Sequence, residues 1–494
     1  MIPKFDWFNE WAKYNPNKIA FEEYESKRTL TFSETNNLAN YLANYFINEL
    51  KFQKNDRIAV LAENQLEYIL LFAVAQKTGM ILVPLNYRLA SSEIDYLLEQ
   101  SQPQLIYVQE EFKTKISTKF ISISKNISEL SKIVESSKKM QSFEFQNIKF
   151  DENDPLFLIF TSGTTAFPKG AIYTHKMLFW NAMNTMLRLD LTSNDRAVNC
   201  APPFHTGSWN VLLTPFVLHG AYTLLMRNFN ADAVLEVLHN ENHTIFWGVP
   251  TMLKMMRQSE KYQHTDFSKI RYFIVGGEAM PIPDIQEWNK KGVAIRQGYG
   301  LTEVGPNVTS LNQEFALKKQ GSIGFPNFYY ETKIVNEHGE EVAAEESGEL
   351  LLKGECVTPG YWNNPEATKA TITEGWFHTG DVVYKDKDGF LYIVDRIKNM
   401  YISGAENVYP AEIEHIIRQH EAIEQVAIVG VPDEKWGESG KAFIKLKKEI
   451  SKDEIFDFCK ARLAKYKIPK YIEFIDNLPL NDSGKIDRKK LKLF

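Results

Sequence analysis

Cysteine is nearly missing from this chain: three residues in 494, Cys200, Cys356 and Cys459, far apart and odd in number. They form no Cys-x-x-Cys pair and no Cys/His spacing, so neither a disulfide framework nor a zinc site is expected. They read as buried, reduced thiols. An excess of basic charge is missing too. The formal net charge is −6, whereas nucleic-acid binders usually carry a basic face. Nucleic acid is therefore not an expected partner, and the charge disfavours an electrostatic membrane contact. Long apolar runs are lacking as well. The longest, such as Tyr68–Ala75, fall far short of the roughly 20 residues of a transmembrane helix. The N-terminal MIPKFDWFNEW has no basic region followed by an apolar stretch, so no signal peptide is expected. A cytoplasmic protein fits these absences.

What is present is ordinary for a globular chain: 44% hydrophobic and 24% charged residues, with 32 Phe, 22 Tyr and 9 Trp to fill a core. At roughly 150 residues per domain the length suggests two or three packed units. Up to about residue 110, apolar strands alternate with helical patterns. Arg57–Ala62, Ile81–Val83 and Leu105–Val108 read as strands, Leu66–Gln76 as a helix stopped by Gly79. That alternation is the mark of βαβ units on a largely parallel sheet. Residues 109–150 read as a less periodic surface excursion. The alternation resumes over 155–300, with strands expected at Leu156–Phe160, Thr244–Trp247 and Tyr272–Val275. From 320 to 395 the texture becomes glycine-punctuated, as in Gly348–Lys353 and Gly389–Val394, and antiparallel strands are expected. A small α+β unit follows, with helices near 411–420 and 452–464 and a strand at Val426–Gly430. The expected fold class is α/β: a large N-terminal domain of layered sheets with a β-rich subdomain, residues 1–395, and a small mobile α+β domain, 399–494.

Thr161–Gly170 (TSGTTAFPKG) carries the most chemistry, directly after the strand Leu156–Phe160. Four hydroxyl residues, two glycines and a lysine make a loop rich in donors, and successive backbone N–H groups with a lysine can surround a phosphate. It is not a Walker loop, which needs Gly-Lys-Ser/Thr; here Lys169 precedes Gly170 and Ala171. Taken alone, such a cluster is more often a plain polar turn.

The loop resembles the phosphate loop of the adenylate-forming superfamily, which includes acyl-CoA synthetases, luciferases and peptide-synthetase adenylation domains. Further signatures follow in the family's order: Gly276–Pro281 (GGEAMP), Gly298–Glu303 (GYGLTE), Gly375–Asp381 (GWFHTGD), Asp395–Pro410 (DRIKNMYISGAENVYP) and Pro479–Arg488 (PLNDSGKIDR). Together they span essentially the whole chain. The resemblance implies ATP, Mg²⁺ and, as co-substrate, CoA. It implies that Thr161, Ser162, Gly163, Thr164, Thr165 and Lys169 hold the β- and γ-phosphates, that Glu303 holds Mg²⁺ and that Thr302 reaches the α-phosphate. Adenine would lie between Tyr299 and the backbone at Gly276, Gly277 and Glu278, with Ala279 and Gly300 alongside. Asp381 and Arg396 would meet the ribose. Lys485 would be the catalytic lysine bridging the attacking carboxylate and the α-phosphate. Lys398 would be the hinge, within 396–398, about which the small domain turns between half-reactions, bringing Ser403, Gly404 and Ala405 to the thiol. The active site would lie between the two domains. Without the resemblance, Glu303, Asp381 and Arg396 would read as surface charges and Lys485 as a solvated lysine.

Two departures stand out. Ala166 and Ala405 occupy places where the family favours glycine. If positive φ is required there, each Cβ costs about 1–2 kcal/mol.

The acyl pocket is expected from Pro203–Asn210 (PFHTGSWN) and Ile245–Pro250 (IFWGVP), with His205, Trp209, Phe246, Trp247, Val249 and Gly298 in its lining. Peptide-synthetase domains carry an aspartate after the phenylalanine, to pair with an α-ammonium. Here His205 follows Phe204, so a substrate without an amine is favoured. The lining resembles fatty acyl-CoA synthetases most, which implies a medium or long aliphatic acid, with an aryl acid such as a cinnamate or benzoate as the alternative. Transfer to a carrier protein is a second reading, and a non-catalytic acyl-nucleotide binder a third, disfavoured because Lys485 and Glu303 are both present. The resemblance is also compatible with a homodimer.

Overall fold

The structure is a computed structural model that describes residues 5–494 other than 138–141, 147, 150, 162–167, 278–279, 404–405, 435, 464 and 482–484. The chain divides into two compact units, Met1–Thr332 with Leu352–Phe377, and Lys333–Leu351 with His378–Phe494.

Two sheets build the first unit. The six-stranded sheet runs Ser124–Asn126, Leu105–Val108, Arg57–Leu61, Ile81–Pro84, Pro155–Thr161, Lys169–Thr174. All neighbours are parallel except the last pair. The nine-stranded sheet runs Phe325–Pro326, Gly305–Ser310, Ile295–Leu301, Tyr272–Val275, Ile245–Gly248, Arg196–Asn199, Tyr222–Leu225, Ile19–Glu23, Thr29–Thr31. It is parallel through its centre and antiparallel at both ends. Central strands such as Tyr272–Val275 and Ile81–Pro84 are buried at every residue, as expected where both faces of a parallel sheet are covered.

Helix Leu66–Thr78 is buried along its whole length, because from Tyr68 to Ala75 its sequence is apolar on all sides. Gly79 ends it at φ 68°, its N–H returning to Ala75 O at 3.0 Å; that left-handed turn is cheap only for glycine. Buried Glu67 is neutralised by Arg28 at 2.8 Å, which also pairs with Glu23 at 2.8 Å. The excursion at 109–150 is more ordered than its sequence suggests. It adds the edge strand Ser124–Asn126 and helix Ser128–Ser137, whose Leu130, with Ile133 beside it, packs into the core.

The strand Trp376–Lys385, which belongs to the second unit from His378 onward, pairs antiparallel with Leu391–Arg396, with Asp381 opposite Arg396. The second strand starts later than the sequence suggested, because Gly389, at φ 90°, turns back to Asp386 O at 2.9 Å. A further sheet runs Glu406–Val408, Tyr401–Ser403, Gly437–Leu446, Ile423–Asp433, with Tyr471–Phe474 parallel on Gly437–Leu446. The strand foreseen at Val426–Gly430 is the middle of the longer Ile423–Asp433. Helices Pro410–Arg418 and Lys452–Lys460 cover it with Ile413, Ile417 and Ile455. The second unit therefore includes 333–351 and 378–398 besides the residues expected of the small domain.

All three cysteines are buried and unpaired. Burial pushes the Cys200 and Cys356 thiols up to about 12 and moves Cys459 in the same direction. Among the described residues, no helix is long and apolar enough to cross a membrane.

Candidate active site

In open parallel sheets, ligands meet the loops at the carboxyl ends of strands, and the first unit places most of the expected residues there. Val249 follows strand Ile245–Gly248, Gly276 and Gly277 follow Tyr272–Val275, and Gly298–Glu303 closes Ile295–Leu301. These ends lie against one another. A Cβ on Gly277, at φ 84°, would sit 3.5 Å from Val249 Cγ1, and one on Gly276 would sit 3.4 Å from Gly298 O. Tyr299 is buried in the same strand, with Thr309 as its cross-strand partner. Gly300 has no alternative: a Cβ there would lie 2.3 Å from the carbonyl carbon of Pro306. That close approach lets the chain bulge and reverse, so that Thr302 and Glu303 occupy the short turn before Gly305–Ser310.

The phosphate-loop candidates begin on the other sheet. Thr161 and Lys169 are opposed as Cα partners at the end of an antiparallel pair, so the loop starts and ends at one place. Thr161 Oγ1 donates to Glu303 Oε1 at 3.0 Å, which brings the ends of the two sheets together. A second donor on the same oxygen is the Tyr361 hydroxyl, at 3.1 Å. The backbone N–H of Thr358 donates to the Glu303 carbonyl at 2.7 Å. The Lys169 ammonium lies 5.3 Å over the Tyr361 ring. Burial, then the Glu303 charge, pushes the Tyr361 phenol well above its ordinary range, so it stays a neutral donor.

Hard oxygen donors of this kind suit Mg²⁺, which binds through one or two carboxylates together with water and phosphate oxygens. Among the described residues, no group of three or more His, Cys, Asp or Glu could cage a metal alone. A lone carboxylate ringed by hydroxyls fits a cation whose remaining ligands come from a nucleotide.

The acyl-pocket candidates separate into two groups. Trp209 is 2% exposed, its Nε1–H donates to Pro203 O at 2.7 Å, and it packs on Tyr68, Phe72 and Phe157. Phe246 is fully buried and lies 5.3 Å from Phe273. Both side chains pack into core clusters. Their neighbours differ. Trp247, Val249, His205 and Gly298 are only partly buried, and the Trp247 ring fills the space beside Gly207, where a Cβ would clash at 2.7 Å.

The second unit holds the remaining candidates. Asp381, 2% exposed, forms a two-pronged pair with Arg396, at 2.6 Å to Nε and 3.4 Å to Nη2. Lys398 reaches solvent, yet its ammonium is held below the ordinary lysine range, by partial burial first and then by Arg396, Lys489 and Lys485 against the pull of Asp381. Lys398 thus lies within the field of three other cations, a setting that favours an anion nearby. Lys485 is exposed, but its backbone is tied to Asn481 twice, N–H to Oδ1 at 3.0 Å and carbonyl from N–H at 2.7 Å. Ser403 is buried at the end of strand Tyr401–Ser403. Ser162, Gly163, Thr164, Thr165, Ala166, Glu278, Ala279, Gly404 and Ala405 lie outside the described residues.

Two residues escaped the sequence reading. Tyr361 sits in a Gly-Tyr-Trp segment bridged to Ala171, with nothing local to tie it to Glu303. Asp395, 5% exposed, accepts from Arg396 N at 2.6 Å, Asn399 Nδ2 at 3.0 Å and Ala411 N at 2.7 Å. The sequence signal for Asp395 was its place in a matched motif, where attention went to its neighbours.

A family model described as "AMP-binding enzyme" matches residues 8–362, and one described as "AMP-binding enzyme C-terminal domain" matches 412–485. The chain is similar to a feruloyl-CoA synthase of Amycolatopsis sp, 36% identical over 97% of this chain and 96% of the relative. It is similar to the long-chain-fatty-acid–CoA ligase FadD13 of Mycobacterium tuberculosis, at 33% identity over 97% and 96%. Among solved structures it resembles o-succinylbenzoate CoA synthetase (MenE) of Bacillus subtilis in complex with its acyl-adenylate intermediate, with TM-score 0.87, 32% identity and 99% and 98% of the two chains covered. The same enzyme in complex with ATP and magnesium ion gives TM-score 0.85 and 31% identity, covering 99% of each chain.

Proposed function

The chain belongs to the AMP-binding enzyme family, and from that premise we infer that it is an AMP-forming acid–CoA ligase acting on an apolar carboxylic acid. The observation that carries this reading is the hydrogen bond from Thr161, at the mouth of the phosphate loop, to Glu303. It supports reading the segment after Thr161 as binding phosphate beside a carboxylate for the cation. In the first half-reaction a carboxylate oxygen attacks the α-phosphorus of ATP, the bond to the β-phosphate breaks, and pyrophosphate leaves. In the second, the CoA thiol attacks the acyl carbon, loses its proton and displaces AMP.

Two anions must meet in the first step, so the site has to neutralise charge and fix geometry. In this reading Thr161, Lys169 and the loop between them bind the leaving phosphates, while Thr302 reaches the α-phosphate. Glu303 would hold Mg²⁺, which would supply positive charge to the phosphate oxygens. Adenine is assigned to Tyr299 with Gly276, Gly277 and Gly300, and the ribose hydroxyls to Asp381 and Arg396. Lys485 is assigned to the attacking carboxylate and the α-phosphate. Lys398 is assigned as the hinge on which residues from 399 onward turn between half-reactions, with Ser403 presented to the thiol. A homodimer and a cytoplasmic setting complete this reading.

For the acid, the sequence points to a medium- or long-chain fatty acid, and similarity to FadD13 supports it. An aryl acid is the second reading, favoured by a specific observation. With Trp209 and Phe246 packed into core clusters, the partly buried Trp247, whose ring lies beside Gly207, is the large aromatic left among the lining candidates, and an aromatic wall suits a ring.

The test is pyrophosphate release from Mg·ATP across aliphatic acids of graded length and across cinnamates and benzoates, each with and without CoA. CoA-dependent turnover peaking on one acid establishes the ligase and chooses between the readings. A single release per enzyme, indifferent to CoA, overturns CoA as acceptor and favours carrier-protein loading.

A further inference from the structure

We propose that Tyr361 is a positioning residue that holds the Glu303 carboxylate by one oxygen and so presents the other to the divalent cation. This rests on the assignment of Glu303 as the cation's carboxylate. Both side-chain donors on Glu303, Thr161 Oγ1 at 3.0 Å and Tyr361 OH at 3.1 Å, go to Oε1. Among the described residues, Oε2 receives no hydrogen bond. Two donors on one oxygen stop the carboxylate from rotating, and a carboxylate that is already oriented binds metal without first losing that freedom.

The phenol is itself fixed by backbone rather than by its own side-chain torsions alone. The Trp362 N–H donates to Gly170 O at 2.8 Å and the Ile172 N–H to Gly360 O at 3.1 Å. Residues 360–362 thus lie along the strand that begins at Lys169. Gly360, at φ 141°, has no room for a side chain, since a Cβ would meet Thr368 at 2.4 Å. The same ring carries the Lys169 ammonium on its face at 5.3 Å. Tyr361 therefore connects a cation at the end of the phosphate loop with the carboxylate for the metal. Its hydroxyl and its ring have separable duties. Tyr361→Phe removes the hydrogen bond and leaves the ring beneath Lys169.

The experiment is a titration of Mn²⁺, followed by electron paramagnetic resonance, into protein saturated with ATP in the absence of acid substrate. It is run on wild type, Y361F and E303Q, with ATP affinity also measured without metal and folding checked by circular dichroism. The expected result is Mn²⁺ affinity about 10- to 100-fold weaker in Y361F, the usual effect of losing a partner that orients a metal ligand. Metal-free ATP affinity should stay at the wild-type value, which general damage to the site would not spare. If E303Q loses Mn²⁺ while Y361F binds it like wild type, the positioning role is overturned and the carboxylate assignment stands. If E303Q binds Mn²⁺ like wild type, that assignment fails, and the proposal with it.

Discussion

Lys485 is exposed, its backbone pinned to Asn481, and it is one of the cations that act on Lys398. Its assigned partner is the charge that develops as carboxylate meets α-phosphate, and it has no task once the acyl-AMP exists. Lys485→Ala should slow adenylation by about 10²- to 10³-fold, the order seen when one preorganised contact is lost. Thioester formation from supplied acyl-AMP should be spared, and equal loss in both half-reactions would contradict the role. His175 shows the opposite situation. It opens helix His175–Leu189 fully buried, 5.2 Å from the Phe5 ring, and burial lowers its pKa from 6.5 to about 3. Above pH 6.5 both folded and unfolded chains keep it neutral, so it contributes no pH dependence. Below that, the unfolded chain takes a proton that the folded chain refuses, and stability falls by about 1.4 kcal/mol per pH unit. Melting temperatures of wild type should fall between pH 6.5 and 4.5 more steeply than those of His175→Leu. Parallel curves would sink the assignment.

Helix Pro410–Arg418 has no cap from its own N-cap residue, Tyr409. Asp395 supplies one from a distance, its Oδ2 accepting from Ala411 N at 2.7 Å. A carboxylate at a helix N-terminus satisfies a free donor and complements the dipole. Asp395→Ala should cost about 1–2 kcal/mol, read as a lower urea midpoint at unchanged slope; an unchanged midpoint would refute the capping role. Which elements were legible in the sequence follows from range. Arg57–Leu61, Ile81–Pro84 and Tyr272–Val275 were visible because a buried parallel strand is a continuous apolar run between turn signals. The motif glycines were visible for the same local reason, and Gly300 proves indispensable. Contacts at a distance were not visible: Ala411 lies 16 residues from Asp395, and Tyr361 lies 58 from Glu303. The lining was hard to read for a third reason. Successive strand residues face opposite sides, so Phe246 and Trp247 cannot share a surface, and hydrophobicity alone does not say which of them is inside.

At the scale of the whole molecule, the first unit joins its two sheets where strand ends meet, at Thr161 and Glu303. Neither sheet alone carries both halves of the proposed phosphate site. Parallel strands of both sheets point their carboxyl ends into loops there, which is why short motifs far apart in sequence act as neighbours. Packing within each unit has swallowed every sulfhydryl, Cys200 and Cys356 in the first and Cys459 in the second, each at 2% exposure or less. A disulfide reagent such as dithionitrobenzoate attacks thiolates that it can reach. The native chain should therefore react at close to zero equivalents and at three only after denaturation, while prompt labelling of the folded protein would contradict the burial. The enzyme is thus colourless to the very reagent that counts free coenzyme A. The coenzyme A that remains can be counted in aliquots withdrawn into the reagent under native conditions, with the protein contributing no signal of its own.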